Sequence, residues 1–267
     1  MREALFLHPG DVATFDGVIL DCRFDLMAPR AGRESYVAGH IPGAQFLDLE
    51  EELSAPRAAH GGRHPLPAPG RFADRLAALG VGRDTPVLIY DDSRKVFAAR
   101  LWWMMRTLGL GQPRILEGGY SAWLDAGGLP STGIPVPAVV EAVAVPGDWA
   151  RCCDRDGLRG LQAGGAQLVD AREAARYRGE HEPIDPVAGH IPGADNRPWQ
   201  TLNTDQGLLR SDEELRELWG ELLNADQLVI YCGSGVSACL NILSLTAIGR
   251  DDAWLYGGSW SDWCSYL

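Results

Sequence analysis

The stretch Cys232-Gly233-Ser234-Gly235-Val236-Ser237 follows directly on the apolar run Leu228-Val229-Ile230-Tyr231. A thiol at the end of a short β-branched run, then glycines, then a helical pattern, is a candidate nucleophile. Gly233 and Gly235 let the backbone curl so that several N–H groups converge on one atom. A helix starting near Val236 adds its positive end. Both effects favour the thiolate, the reactive form of cysteine, and Ser234 and Ser237 can add hydroxyl donors. The same cradle suits a persulfide, whose charge sits on its outer sulfur.

Most cysteines in a chain of this kind are small buried hydrophobes, so Cys232 has to be separated from Cys22, Cys152, Cys153, Cys239 and Cys264. None of the six forms a CxxC pair or stands at metal-ligand spacing with a histidine. The separation comes from an internal repeat. Val37-Ala38-Gly39-His40-Ile41-Pro42-Gly43-Ala44 recurs letter for letter as Val187-Ala188-Gly189-His190-Ile191-Pro192-Gly193-Ala194. Ile19 to Arg23 matches Leu168 to Arg172, Val87 to Tyr90 matches Leu228 to Tyr231, and Gly118 to Trp123 matches Gly258 to Trp263 more loosely. Features shared by both halves are demands of the fold, and features in one half are candidates for function. By this test Asp21, Arg23, Asp170 and Arg172 are scaffold, and the default for His40 and His190 is a structural turn. After the matched Ile-Tyr strand end, however, the first half places Asp91 where the second places Cys232.

The elements that must position Cys232 follow from periodicity. Fully apolar short runs predict strands buried on both faces. Helices are predicted over 96–108 and 236–248, ending at Gly109 and Gly249. Ser211-Asp212-Glu213-Glu214 is a capping box that opens a further helix reaching about Leu223. Strand–helix alternation predicts an α/β fold in each half, an open, mostly parallel sheet with helices on both faces. Ligands in such sheets bind beyond the carboxyl ends of the strands. The proline-bearing stretch around 133–148 reads as a linker, leaving an N-terminal domain over 1–132 and a C-terminal domain over 149–267.

Composition narrows the function further. The chain has 267 residues, a net charge of −12, 46% hydrophobic and 22% charged residues, which is ordinary globular make-up. An acidic surface argues against nucleic acid or an anionic membrane as partner. No apolar run approaches the ~18 residues of a membrane span. Pro9, Asp11 and Asp16 interrupt the place where a secretory signal needs an unbroken apolar core. The expectation is a soluble cytoplasmic protein with reduced thiols.

The paired GHIPGA motifs, the six-residue loop Cys232 to Ser237, and Gly258-Ser259-Trp260-Ser261-Asp262-Trp263 resemble the tandem-domain rhodanese family of sulfurtransferases across nearly the whole chain. The resemblance implies two tandem rhodanese-like domains, the first inactive with Asp91 at the cysteine position, the second cycling through a Cys232 persulfide. The loop is most similar to that of 3-mercaptopyruvate sulfurtransferases, with Ser237 where threonine is usual. The thiosulfate-using branch has Arg and Lys where Gly233 and Ser234 stand. The implied reaction moves sulfane sulfur from 3-mercaptopyruvate, or alternatively thiosulfate, to a thiol, cyanide or thioredoxin-like acceptor, with no metal or organic cofactor. A non-enzymatic persulfide carrier is the alternative of another class. A phosphatase of the same fold would need an arginine at the end of a longer loop, and none lies between Cys232 and Val236. Arg176, in Arg176-Tyr177-Arg178-Gly179, matches a family substrate-binding arginine, with Arg178 as a lesser candidate. The family's second arginine is missing from Glu182-Pro183-Ile184-Asp185. The resemblance also implies that a histidine of the first domain serves the loop serine, which would pair His40 with Ser234.

Overall fold

A computed structural model describes residues 2–267. By contacts the chain divides into two units. One runs to Ala55, resumes over Pro67–Ala150 and takes in Gln206–Leu208; the other comprises Pro56–Leu66, Arg151–Asp205 and Leu209–Leu267. The segment 56–66, placed in the first half by the sequence division, therefore packs with the second unit. The proline-bearing stretch over 132–146 has no regular structure and belongs by contacts to the first unit.

Each unit is built on a five-stranded sheet with every pairing parallel. In the first, β1 (Phe6–Leu7), β2 (Val18–Asp21), β3 (Gln45–Phe46), β4 (Pro86–Tyr90) and β5 (Gln112–Leu116) lie in the order β1-β5-β4-β2-β3. In the second, β6 (Cys152–Cys153), β7 (Gln167–Asp170), β8 (Ala194–Asn196), β9 (Leu228–Tyr231) and β10 (Trp254–Tyr256) lie in the order β6-β10-β9-β7-β8. The order is the same, so the repeat in sequence is a repeat in topology. The central β9 is fully buried and pairs with β7 from Gln167↔Leu228 to Asp170↔Tyr231. The chain leaves β7 toward β8 on one side and returns to β9 on the other, and such a reversal opens a crevice at the strands' carboxyl ends. Cys232 follows β9 at that crevice.

The repeated GHIPGA motif serves packing and turn geometry. Ile41 and Ala44 join the core of one unit, and Ile191 and Ala194 join that of the other. Arg23 bridges Asp21 and the Gly39 carbonyl, and Arg172 bridges Asp170 and the Gly189 carbonyl, so both arginines tie a strand end to this turn. The first predicted helix is observed as Val96–Leu108 with Gly109 as its left-handed cap, and it buries Trp102, Trp103, Met104 and Met105. The capping box of Ser211 and Glu214 is formed, but this helix stops at Trp219, where Gly220 takes a positive φ and a 3-10 turn continues. The helix expected from Val236 begins at Ala238, because the preceding loop runs on to Ser237. Among the described residues no helix is long and apolar enough to cross a membrane, and no group of His, Cys, Asp and Glu could hold a metal ion.

Candidate active site

Cys232 is 2% exposed, and its backbone is held from both sides by the segment after β10. Its N–H donates to Ser259 Oγ at 3.1 Å, and that hydroxyl donates to the Tyr256 carbonyl at 2.9 Å. Trp260 N–H donates to the Cys232 carbonyl at 3.0 Å and Ser261 N–H to the Gly233 carbonyl at 2.9 Å. Ser259 occupies the left-handed region, φ +56°, which costs a side-chain-bearing residue about 1–2 kcal/mol. Its repeat counterpart Gly119 has φ +72°. The second unit thus accepts a strained serine where the first has a glycine, and the serine holds the cysteine amide.

The first unit shows what a loop in this place does with charge. Asp91, 1% exposed, accepts the N–H groups of Ser93, Lys95, Phe97 and Ala98 at 2.8–3.0 Å. Burial raises its carboxyl group, and these four amides oppose the rise. A side-chain anion at this position is thus surrounded by converging donors, as in a backbone nest. In the second unit Gly235, φ +77°, makes the corresponding curl, which a side chain would strain.

Ser234, 5% exposed, has its Oγ 2.8 Å from Nδ1 of His64. His40 is therefore not the histidine of the loop serine. It is fully buried in the first unit, with Nδ1 on the Tyr36 carbonyl (2.7 Å) and Nε2 on the Gly133 carbonyl (3.1 Å), stacked on the Tyr36 ring. His190 repeats the arrangement on Tyr177, so both motif histidines brace their turns. His64 was missed although a signal existed: Gly61-Gly62-Arg63-His64-Pro65 has no copy in the second half, the criterion that picked out Cys232. The segment is anchored by Gly61 N–H on Asp262, Arg63 N–H on Ser261, and His60 on Ser265 and the Tyr266 ring.

Arg176 lies beside the loop. Its fork holds Glu182 through Nε (3.1 Å) and Nη2 (2.7 Å), and Nη2 also meets Asp185 at 3.2 Å. Burial alone would raise the Glu182 carboxyl, but Arg176 and the amides of Asp185 and Ile184 outweigh it and hold the group below its ordinary value. A Cβ on Gly233 would come 2.9 Å from Arg63 Nη2, which would have to shift, and 3.5 Å from both Arg176 Nη atoms, an ordinary contact. A second arginine thus reaches the loop, from Arg63 and not from the stretch before the GHIPGA motif. Arg178 is not brought in: it pairs with Glu180, and more than half of its side chain is exposed. Ser237 is half-buried ahead of the helix Ala238–Ala247 and makes no capping bond.

Four of the other five cysteines sit in surroundings that disfavour a thiolate or access. Burial, then Asp21 and Asp91, push Cys22 well up. Burial, Cys152 and Asp154 push Cys153 up to about 12, and burial with Asp185 raises Cys264. Cys239 is fully buried, with Sγ on the Gly235 carbonyl. All six are free thiols.

Comparison with known proteins agrees with this geometry. The rhodanese-like domain model matches residues 8–126 and 155–266. A Pseudomonas aeruginosa protein named "probable 3-mercaptopyruvate sulfurtransferase" is 44% identical over 260 residues, covering 93% of this chain and 89% of that one. The thiosulfate sulfurtransferase of Cricetulus griseus is 34% identical, covering 92% and 84%. The solved 3-mercaptopyruvate sulfurtransferase of Leishmania major superposes with a TM-score of 0.87 at 32% identity, covering 98% of this chain and 75% of that one. With two matched domains and a relative at this identity over most of its length, the chain belongs to the rhodanese family and is a tandem-domain sulfurtransferase.

Proposed function

We propose that the protein moves a sulfane sulfur from 3-mercaptopyruvate to a thiol or cyanide acceptor through a persulfide on Cys232. The observation that carries this reading is the pair of matched loops. Where the first unit sets the Asp91 carboxylate among four amides, the second offers Cys232, a side chain whose working forms are anions.

In the first half-reaction the Cys232 thiolate attacks the donor sulfur. The S–S bond forms as the C–S bond breaks, and the electron pair leaves on carbon as the enolate of pyruvate. Ser234, hydrogen-bonded to His64, is placed to pass the proton that turns the enolate into pyruvate. Arg176, beside Gly233, supports binding of the donor carboxylate, since a guanidinium fork suits that group. In the second half-reaction the acceptor takes the outer sulfur and Cys232 leaves as a thiolate, so no external oxidant or reductant is consumed. Small thiols and thioredoxin-like proteins of the cytoplasm fit as acceptors, and the free cysteines fit a reducing compartment. Thiosulfate is the alternative donor. It is a dianion, and the Glu182 and Asp185 carboxylates behind Arg176 favour the monoanion.

Incubation with 3-mercaptopyruvate should add one sulfur atom to the intact mass of the parent and of Cys239→Ser, and none to Cys232→Ser. With cyanide present, pyruvate release should continue through many turnovers. A sulfur adduct on Cys232→Ser, or release that stops after one equivalent, would overturn the reading.

A further inference from the structure

Asp262 is buried, 4% exposed, and no step of the reaction above uses its carboxylate. In the first half its place is taken by Ala122, since Gly258 to Trp263 matches Gly118 to Trp123. The structure upholds the match: a Cβ on Gly118 would stand 2.5 Å from the Ala122 Cβ, and one on Gly258 2.5 Å from the Asp262 Cβ. The two side chains thus occupy corresponding places, and the carboxylate belongs to the second unit alone, the distinction that also marks Cys232. A buried carboxylate is costly unless donors meet it. Here Oδ1 accepts the Gly61 N–H at 2.7 Å and Oδ2 the Tyr256 hydroxyl at 2.6 Å. Tyr256 ends β10 and is fully buried in the core of the second unit. Burial and Asp262 both raise its pKa, so its proton stays in place for this bond.

Gly61 lies three residues before His64, in a stretch with no helix or strand from 55 to 68, so no regular structure of its own holds the imidazole. The short helix Ser259–Trp263 does so instead. Ser261 Oγ accepts the Arg63 N–H at 3.0 Å, while Ser261 N–H donates to the Gly233 carbonyl at 2.9 Å and Trp260 N–H to that of Cys232 at 3.0 Å. A Cβ on Gly62 would come 2.4 Å from the Gly258 carbonyl oxygen and 2.8 Å from Ser261 Oγ, so the segment lies closely against the start of this helix. One helix therefore grips the cysteine loop and the histidine segment together, and Asp262 ties that segment to the end of β10. We infer that Asp262 is a positioning residue for proton transfer: through Gly61 it sets where His64 stands, and so how His64 orients the Ser234 hydroxyl. The inference rests on the proton-transfer role given to Ser234 and His64 above. Such a relay loses rate steeply when its members shift by about 1 Å, and loss of a backbone tie three residues away permits that shift.

The test measures kcat for pyruvate release from 3-mercaptopyruvate, with cyanide as acceptor, in the parent, Asp262→Ala, Asp262→Asn, His64→Ala and the double variant Asp262→Ala/His64→Ala. Asp262→Ala should lower kcat about ten- to a hundredfold, the loss expected for a misplaced catalytic group. Asp262→Asn keeps an oxygen for the Gly61 N–H and should recover most of the parent rate. In the His64→Ala background, removing Asp262 should change kcat by less than about twofold, because two residues acting through one contact are not additive. Where Asp262→Ala does not fold, Asp262→Leu, which fills the space without an acceptor, takes its place. Failure of both to fold would make Asp262 a residue of the fold and overturn the inference. So would an Asp262→Ala enzyme as fast as the parent, an Asp262→Asn enzyme as slow as the alanine variant, or single losses that multiply in the double variant. A parent that does not turn over 3-mercaptopyruvate, or a His64→Ala enzyme as fast as the parent, would instead overturn the functional reading, and the positioning role with it.

Discussion

Nδ1 of His64 lies 2.8 Å from the hydroxyl of Ser234, although the two residues are 170 positions apart in the chain. The contact is made inside one compact unit, because the segment 56–66 packs with the second half. It gives the cysteine loop a hydroxyl whose orientation is set by an imidazole. The histidines of the repeated motif make no such contact in either half; both bond to backbone carbonyls of their own turn.

That division of labour predicts opposite phenotypes for two histidines of the first half of the sequence. His64→Ala should lower kcat with 3-mercaptopyruvate by on the order of a hundredfold, the lower range for a positioned proton-transfer group, with a melting temperature near the parent's. His40→Ala should act on stability, costing about 1–3 kcal/mol for the buried turn carbonyls it leaves unpaired, with full activity per folded molecule. Urea unfolding and kinetics on the same preparations check both. A fast His64→Ala enzyme would remove the histidine from proton transfer.

Ser259 offers a test of strain against hydrogen bonding. Ser259→Ala keeps the left-handed backbone and loses the bond to the Cys232 amide. Ser259→Gly loses the same bond but relaxes the backbone, as Gly119 does in the sister unit. The glycine variant should therefore be the more stable by about 1 kcal/mol in denaturant unfolding. Both should lose activity because the cysteine amide is released. Equal stability would mean that the φ of +56° stores no strain.

Glu182 sets an acid limit. Its pKa is lowered in the folded protein because Arg176 and two amides outweigh the effect of burial. A group depressed on folding contributes stability that is full above its unfolded pKa, about 4.3, and is lost as pH falls through the lower folded value. Glu182→Gln should cost about 1.5–3 kcal/mol at neutral pH, the worth of charged hydrogen bonds. Below the folded pKa the difference between parent and variant should shrink. Unfolding free energies measured from pH 7 down to pH 3 check this, and a gap that stays constant would assign the effect to packing.

The parts of the molecule legible in the sequence are those built from local pattern. The strand β9 could be read because it is an apolar run buried throughout, and the helix 96–108 because of its length and the glycine, Gly109, that ends it. Helix starts were less legible: the loop before Ala238 looks helical from Val236 on, yet Gly235 turns the backbone the other way. The motif singles out Arg176 with Arg178 as the lesser candidate, and the structure separates the two by placing the fork of Arg178 on Glu180. His64 and Arg63 stand in Gly61-Gly62-Arg63-His64-Pro65, a stretch without apolar periodicity that could indicate where it packs.

The sequence by itself determined the two-fold repeat, the α/β alternation, and Cys232 as the residue present in one half where the other has Asp91. These are consequences of residue order along single strands and turns, where hydrophobic burial and glycine freedom act within a few positions. Only the tertiary structure decided which groups surround that cysteine. Arg63 meets Asp185 across 122 positions and His64 meets Ser234 across 170. Such meetings depend on where an irregular segment is anchored, here by Asp262, Ser261 and Ser265. No local preference encodes a side-chain contact at that separation, because its geometry exists only once the segment 56–66 has packed onto the second unit.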